Sequence, residues 1–364
     1  MFVARPTIGR QIVITEICGI EASRAVSVIC YGVPEIAAGV RAPIEVAASS
    51  PAELVTVDQR SRMSIYVEIR IRAPLQDLWD HTQHPDLHER WDLRFSSISY
   101  MPRPNADEPQ RFRYVTRIGG GLSIEGQGES VGSRDLVSGQ RASALTFSSL
   151  DPRSLILRGS GYWKYIPTAD GIRFLTRYDY ETRWGPFGRF IDRVLFRPAL
   201  GWATAWSFDR LRLWLEEHVD PRSAWRQWIT HAVARASLAI IFAYHGLVPK
   251  LLLRQADEMA MLRDIGVPAQ QLPGFVFTFG IAEVLFAICL LLFWRSRWPA
   301  LLTFAFGVFA TIGVAYASPR YLGAAFNPVS LNLAIVCLAI IDLLNLEAIP
   351  TAKSCRRTPP AGEN

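Results

Sequence analysis

Hydrophobic positions change their rhythm twice along the chain. Residues 1–62 hold only short apolar bursts, such as Ile12-Val13-Ile14 and Val26-Ser27-Val28-Ile29, interrupted by Glu16, Glu21 and Arg24. No period is sustained there, so a poorly structured N-terminal extension is expected. No apolar core follows a basic start, which argues against a secretory leader. Translation from Met63 is the alternative, with the preceding stretch absent in vivo.

From Met63 the period becomes two. Val67, Ile69 and Ile71 alternate with Glu68, Arg70 and Arg72, the pattern of a strand with one buried face. Ala73-Pro74 ends it, and Leu78-Trp79 and Leu87 through Trp91 suit two short helices separated by Pro85. Strand-like segments follow at 94–102, 110–118, 122–131, 142–150, 155–166 and 172–182. Gly119-Gly120-Gly121, Asp151-Pro152 and Asp170-Gly171 supply turns between them. A helical region over 189–219, broken near its first third by Pro198, closes the segment. This order predicts an α+β domain over 63–220, an antiparallel sheet around a long C-terminal helix that closes its own core.

The last third is apolar nearly all round. Segments at 232–253, 274–294, 298–317 and 331–349 have lengths of roughly 27–33 Å as helices, matching a hydrocarbon core of about 30 Å. Four such segments predict an all-α four-helix transmembrane bundle over 228–349 with a tail at 350–364. Arg222, Arg226, Arg295, Arg297, Lys353, Arg356 and Arg357 flank one side, and Arg254, Arg263 and Arg320 the other. That asymmetry predicts a multi-pass protein of the inner, cytoplasmic membrane with its N-terminal domain and tail inside.

Composition agrees with this division. The chain is 50% hydrophobic and carries a formal net charge of +6. Arginines at membrane borders account for the charge, and no zinc-finger spacing or RNA-binding signature points to nucleic acid. Cys18, Cys30, Cys289, Cys337 and Cys355 leave 31–288 without a cysteine, which excludes a disulfide framework or CxxC metal site in the first domain.

Two resemblances sharpen the picture. Ile71-Arg72-Ala73-Pro74, Leu78-Trp79, Pro85, Arg90-Trp91-Asp92 and the helix ending Trp206-Ser207-Phe208-Asp209-Arg210-Leu211 resemble the START-like, polyketide-cyclase-like (SRPBCC) superfamily. The resemblance implies a helix-grip fold that hosts lipid carriers, cyclases and plain binding modules. Arg235, Tyr244-His245-Gly246, Lys250-Leu251, Gly280 and Glu283, Ala325-Phe326-Asn327-Pro328 and Asn332 resemble the DoxX-like four-helix membrane proteins. That likeness implies a membrane module and hints at quinone-linked electron transfer.

Candidate chemistry follows from polar residues in apolar surroundings. His245, Glu283, Lys250, Asn327, Asn332 and Asp342 form an expected intramembrane polar set. By helix rise, His245 and Glu283 lie at similar depths, about 10–14 Å below the outer surface, so a direct pair is expected to be possible. It reads either as a structural hydrogen bond between helices or as a proton-handling or quinone-headgroup site. Lys250 near the outer end is placed to snorkel. Asn327-Pro328 reads as a helix cap and early turn, and Asp342 and Asn345 share a helical face. In the first domain Trp91, Trp163, Tyr165, Tyr178 and Tyr180 are candidates for a ligand cavity, with ordinary core packing as the competing reading. Arg189, Arg193 and Arg197 recur every four residues beside Phe190 and Phe196, a stripe suited to a membrane surface or a solvated face. Alternating Glu and Gly at 125–129 read as an exposed strand with a close approach or a bulge. His81, His84 and His88 are interrupted by Pro85, and no metal set is expected.

No nucleophile–base pair or phosphate loop stands out, and no cofactor is evident apart from the quinone option. The expected function is therefore a membrane-tethered binding module for an apolar or lipid-like small molecule. The alternative is the membrane component of a quinone-linked oxidoreductase with a regulatory soluble domain. Expected partners are the bilayer, an apolar small molecule, and a second copy or a redox subunit.

Overall fold

A computed structural model describes residues 64–361, apart from 104, 106, 107, 136–138 and 326. The expectations for 1–62 and for Met63 lie outside the described residues. The first domain runs β1 (Ile65–Ile71), α1 (Leu75–Gln83), α2 (Pro85–Trp91), β2 (Ser97–Tyr100), β3 (Arg111–Gly119), β4 (Leu122–Asp135), β5 (Arg141–Ser148), β6 (Ile156–Thr168) and β7 (Gly171–Thr182). The seven strands form one antiparallel sheet in the order β1-β7-β6-β5-β4-β3-β2. Each short turn joins neighbours, and the connection through α1 and α2 carries the chain from β1 at one edge, beside β7, to β2 at the other.

Alternation sets which face is buried. Ile65, Val67, Ile69 and Ile71 point inward with Phe174, Tyr178, Trp163 and Tyr165, and α4 (Arg197–Glu217) covers them through Trp206, Phe208 and Leu211. This is the helix-grip arrangement. Gly126 and Gly128 sit on the same inner face, where a Cβ would collide with the rings of Tyr114 and Phe112. The Glu-Gly alternation of β4 is thus a seat for two aromatic rings, followed by a bulge between Ser130 and Gly132.

The helical stretch before α4 is not interrupted as Pro198 led us to expect. α3 (Gly185–Ile191) passes into a π-helical turn over Asp192–Phe196, and α4 begins at Arg197 with Pro198 in its first turn. The wider π turn immediately before it accommodates the proline ring and its missing N–H without breaking the helix. His218, in the left-handed region, ends α4.

Asp220 then caps α5 (Pro221–His245), its carboxylate accepting from the Arg222 and Ser223 N–H groups at 2.8 and 3.3 Å. α5 is continuous from the first domain into the apolar region, across the stretch 220–228 between the two expected domains. Its first turns belong to the first domain, whose core packs against Trp225 and Trp228. α5 continues as a π-helical turn over Gly246–Leu252, followed by α6 (Ala256–Asp264), α7 (Leu272–Leu292), α8 (Trp298–Ala317) and α9 (Pro328–Leu344). Three helices, Pro221–Leu252, Leu272–Leu292 and Trp298–Ala317, are long and apolar enough to cross a membrane. Pro328–Leu344 is a shorter apolar helix of 17 residues.

Contacts at the two ends of the bundle show how these helices alternate. At one end the α7–α8 turn meets the chain after α9, with Arg295 donating to the Ile349 carbonyl at 3.0 Å and Arg297 paired with Glu347 at 2.6 Å. At the other, Asp264 of α6 accepts from Ser318 and Arg320 after α8, both at 2.7 Å. Beyond α9 the chain returns to the first domain. Thr351 N–H donates to Asp209 at 2.8 Å and the Cys355 thiol to the Ala205 carbonyl at 3.2 Å. Arg356 forms an antiparallel bridge to Glu68 through two 2.9 Å backbone bonds. Ala352 and Cys355 join the first domain's core.

Candidate functional site

The inner face of the sheet is sealed at one half and open at the other. In the sealed half, α2 carries His88 and Trp91 into the core. His88 Nε2 lies 3.0 Å from Asp92, and its ring stacks on Trp91 at 4.9 Å and meets Trp163 edge-on at 5.1 Å. Arg94 grips Asp92 in a bidentate pair of 2.9 and 2.6 Å. Burial would raise the Asp92 carboxyl's pKa, but Arg94 and His88 outweigh it and hold it well below the usual carboxylate range. Nearby, burial lowers Arg210 to about 10, its guanidinium donating to the Pro221 carbonyl at 2.8 Å.

Trp91, Trp163, Tyr165 and Tyr178 all lie in this closed core, away from the lining of the open cleft. Their polar atoms are already used: Trp91 Nε1 donates to the His81 carbonyl at 2.8 Å, and the Tyr165 hydroxyl meets Thr82 at 2.7 Å. The Tyr178 hydroxyl meets Thr204 at 2.8 Å. Of the five aromatic candidates Tyr180 reaches open space, its hydroxyl donating to Asp192 at 2.6 Å.

That open space is a cleft of about 1480 Å³ over strands β3–β7. Gly128, Phe147, Gly159 and Tyr180 are successive cross-strand partners and form one row along its wall. They share a face with the core residues two positions along each strand, so the cleft continues the core where α4 no longer covers it. Arg189 and Arg193 stand at its rim. Around them Phe187, Phe190, Val194 and Leu195 are 66%, 65%, 63% and 67% exposed. Arg197 leaves this stripe. The π turn adds a residue to the helical repeat and swings Arg197 inward, onto Asp192 at 2.8 Å, Asp179 at 3.0 Å and the Tyr180 ring at 4.5 Å.

The cleft's position follows from the α4–α5 hairpin. Arg210 contacts Pro221, while Trp206 packs against Trp225 and Trp228 at 5.6 and 6.1 Å. The index falls on α4 as it rises on α5, so the two helices run antiparallel there. The N-terminal end of α4, with α3 and the π turn, therefore points the way α5 travels into the apolar bundle.

The intramembrane polar residues divide into two groups. Asp342 of α9 is fully buried, 2.6 Å from His231 Nδ1 and 2.7 Å from Arg235 on α5. These are ion-pair distances whose angles fall short of hydrogen-bond geometry. Arg235 also donates to the Ser296 carbonyl at 3.1 Å, and His231 meets Trp294 edge-on at 4.9 Å. The sequence reading singled out Asp342 and Arg235 without joining them, and missed His231. A spacing of four between His231 and Arg235 was the available signal. Asn345 turns away from Asp342 and bonds the Ile341 carbonyl at 2.8 Å at the helix end.

The second group lies at the opposite end. Glu283 pairs with Lys250 at 3.1 Å, and Lys250 also donates to Glu258 at 3.2 Å. No ion pair or hydrogen bond joins His245 to Glu283 among the described residues; the His245 ring faces Tyr244 at 5.8 Å. The π turn starting at Gly246 changes the angular step and delivers Lys250 instead. Gly246 and Gly280 permit the approach, since a Cβ on Gly246 would meet the Gly280 carbonyl at 2.5 Å. Asn327 caps α9, accepting from the Ser330 N–H at 2.8 Å, and Asn332 is buried within α9. His81 and His84 each bond a backbone carbonyl one turn back, at 2.7 and 2.9 Å.

Comparison with known proteins fits this architecture. Residues 239–340 match the DoxX-like family. The chain is 49% identical over 183 residues to the uncharacterized membrane protein YndG of Bacillus subtilis, covering 50% of this chain and 68% of that one. The chain belongs to the YndG family. Among solved structures, this YndG-family chain is similar to the di-domain ARO/CYC StfQ of the steffimycin biosynthetic pathway. The identity is 15% and the TM-score 0.33, over 44% of this chain and 54% of that protein. It is also similar to a STAR-related lipid transfer protein from Xanthomonas axonopodis, with 15% identity and a TM-score of 0.33, over 42% and 85% of the two chains.

Proposed function

We propose that this YndG-family protein is a membrane-tethered binding module whose helix-grip cleft takes up an apolar or lipid-like small molecule from the bilayer. One observation carries the reading. The cleft rim bears four exposed apolar side chains beside Arg189 and Arg193, at the end of the domain towards which α5 descends. Apolar side chains interleaved with arginine suit insertion at a headgroup boundary.

The topology supports it. The first domain precedes α5 and the segment after α9 docks on that domain, so an even number of crossings separates them. We therefore count α9 as the fourth span; its 17 residues reach about 25 Å, at the short limit for a bilayer. The arginine asymmetry favours a cytoplasmic side for the domain and tail. Cysteines at Gln255 and Arg357, in a background without native cysteines, test the arrangement. An impermeant reagent applied outside should label the first and spare the second; labelling of both or the reverse pattern overturns it.

The oxidoreductase reading loses its motivating pair, because Glu283 is engaged by Lys250. The binding reading is tested with a photoactivatable phospholipid in nanodiscs holding the full chain. Crosslinks should map to the row Gly128, Phe147, Gly159 and Tyr180. Crosslinks confined to the bundle's outer surface would remove the cleft from the function.

A further inference from the structure

The charges around the cleft are not evenly matched. Arg158 pairs with Glu181 at 2.9 Å, Arg111 with Glu129 at 3.7 Å, and Asp179 with Arg197 at 3.0 Å. Each carboxylate that lines the cleft is thus already claimed by an arginine. Arg189 and Arg193 also line it, and neither has a carboxylate within ion-pair distance among the described residues. Two unneutralised guanidiniums therefore stand one helical turn apart at the rim, with Phe147 and Tyr180 on the wall beneath them. Cation at the mouth and apolar surface below form an amphipathic receptor of definite polarity. Arginine's forked donors suit the oxygens of a phosphate or carboxylate.

We infer that the cleft selects an amphiphile with an anionic oxygen headgroup, held at the rim by Arg189 and Arg193 with its apolar body against Phe147 and Tyr180. The inference rests on the binding function proposed above and adds the charge of the ligand. A membrane phospholipid and a free fatty acid share this chemistry.

Binding to the full chain in neutral maltoside micelles, where no bilayer charge contributes, tests it. The probes are fluorescent phosphatidylglycerol, phosphatidylcholine with the same chains, a fluorescent dodecanoate and its methyl ester. At least one anionic probe should bind on the order of tenfold tighter than its uncharged or zwitterionic counterpart, about 1.4 kcal/mol. The probe with the larger preference identifies the source. Arg189→Gln with Arg193→Gln should erase the preference and leave the counterpart's affinity unchanged. Arg189→Lys with Arg193→Lys should keep most of it, which separates charge from misfolding. Equal binding within both pairs by the wild type, or a preference that survives the double Gln change, overturns the inference while leaving the wider reading intact. Failure of all four probes to bind defeats both.

Discussion

Asp92 and Asp342 are both fully buried carboxylates held by arginine and histidine, yet they do different work. The Asp92 network is local: His88, Asp92 and Arg94 lie within one helix end and the turn after it. The Asp342 cluster joins residues over a hundred positions apart, reaching from α9 to His231 and Arg235 on α5. In the first domain the core is already closed by alternating strands and α4, so a buried ion network only shapes one corner. In the bundle, helix faces are apolar all round, and apolar surface has no preference for a neighbouring helix over lipid. There the buried charge of Asp342 ties α9 to α5.

The largest expected effect tests that contrast. Asp342→Ala leaves Arg235 buried without its counter-charge, and should cost about 3–5 kcal/mol of bundle stability. Unfolding of the full chain in detergent measures it, with hydrogen exchange locating the loss in α5 and α9. Adding Arg235→Ala should cost less than the sum of the two single changes, because the double change removes the stranded charge. Additive losses would mean the cluster does not hold the helices together.

The next effect concerns the link between the two regions. Removing residues 351–364 deletes the Thr351 and Arg356 backbone bonds and the buried Ala352 and Cys355. At roughly 1 kcal/mol per bond, the first domain should lose about 2–3 kcal/mol. Amide exchange at Glu68 should accelerate, since its N–H then faces solvent at the sheet edge. Unchanged exchange at Glu68 would mean that the tail does not dock in solution.

How much of this was legible follows the same division between local and distant. The strands, the two short helices and the apolar segments declare themselves through period, which is a local property. The Pro221 start of α5 was hidden because Trp225 and Trp228 look like interfacial anchors before a membrane span, whereas they serve the first domain's core. The tail's docking carries no local pattern at all. Both π turns were invisible for the same reason, and each rotated one expected residue away: Arg197 from the surface stripe, and Glu283 from His245 to Lys250. Of the aromatic candidates Tyr180 lies on the cleft wall, while Trp163 and Tyr165 sit four and six positions from Gly159 on the same strand, under α4.

Acid provides the third test. The Asp92 pKa is depressed in the folded state, so its contribution is fully present above the ordinary carboxylate value near 4. It is lost as pH falls through the lower folded value. The contribution is on the order of 2 kcal/mol. Asp92→Asn should therefore lower the first domain's stability at pH 7 and flatten its decline below pH 4, as read from tryptophan fluorescence unfolding. A variant that declines as steeply as the wild type would place the acid sensitivity in other carboxylates.

The smallest expected effect discriminates between two pairings of one carboxylate. Glu283 lies 3.1 Å from Lys250, and both side chains keep some exposure, at 16% and 10%. Coupling of about 1 kcal/mol is expected, the size of polar contacts between membrane helices and below the fully buried Asp342 cluster. A double-mutant cycle with Lys250→Met and Glu283→Gln, unfolded in micelles, should return coupling near that value. The parallel cycle with His245→Phe and Glu283→Gln should be additive within about 0.5 kcal/mol, because no hydrogen bond joins the two side chains. The substitutions keep size, so packing of Gly246 against Gly280 is retained and does not enter either cycle. Coupling in the second cycle and none in the first would restore the His245–Glu283 pair, and with it the motive for seeking proton chemistry at that end of the bundle. Coupling in the first alone assigns Glu283 to fixing the π turn against α7, a role that depends on charge.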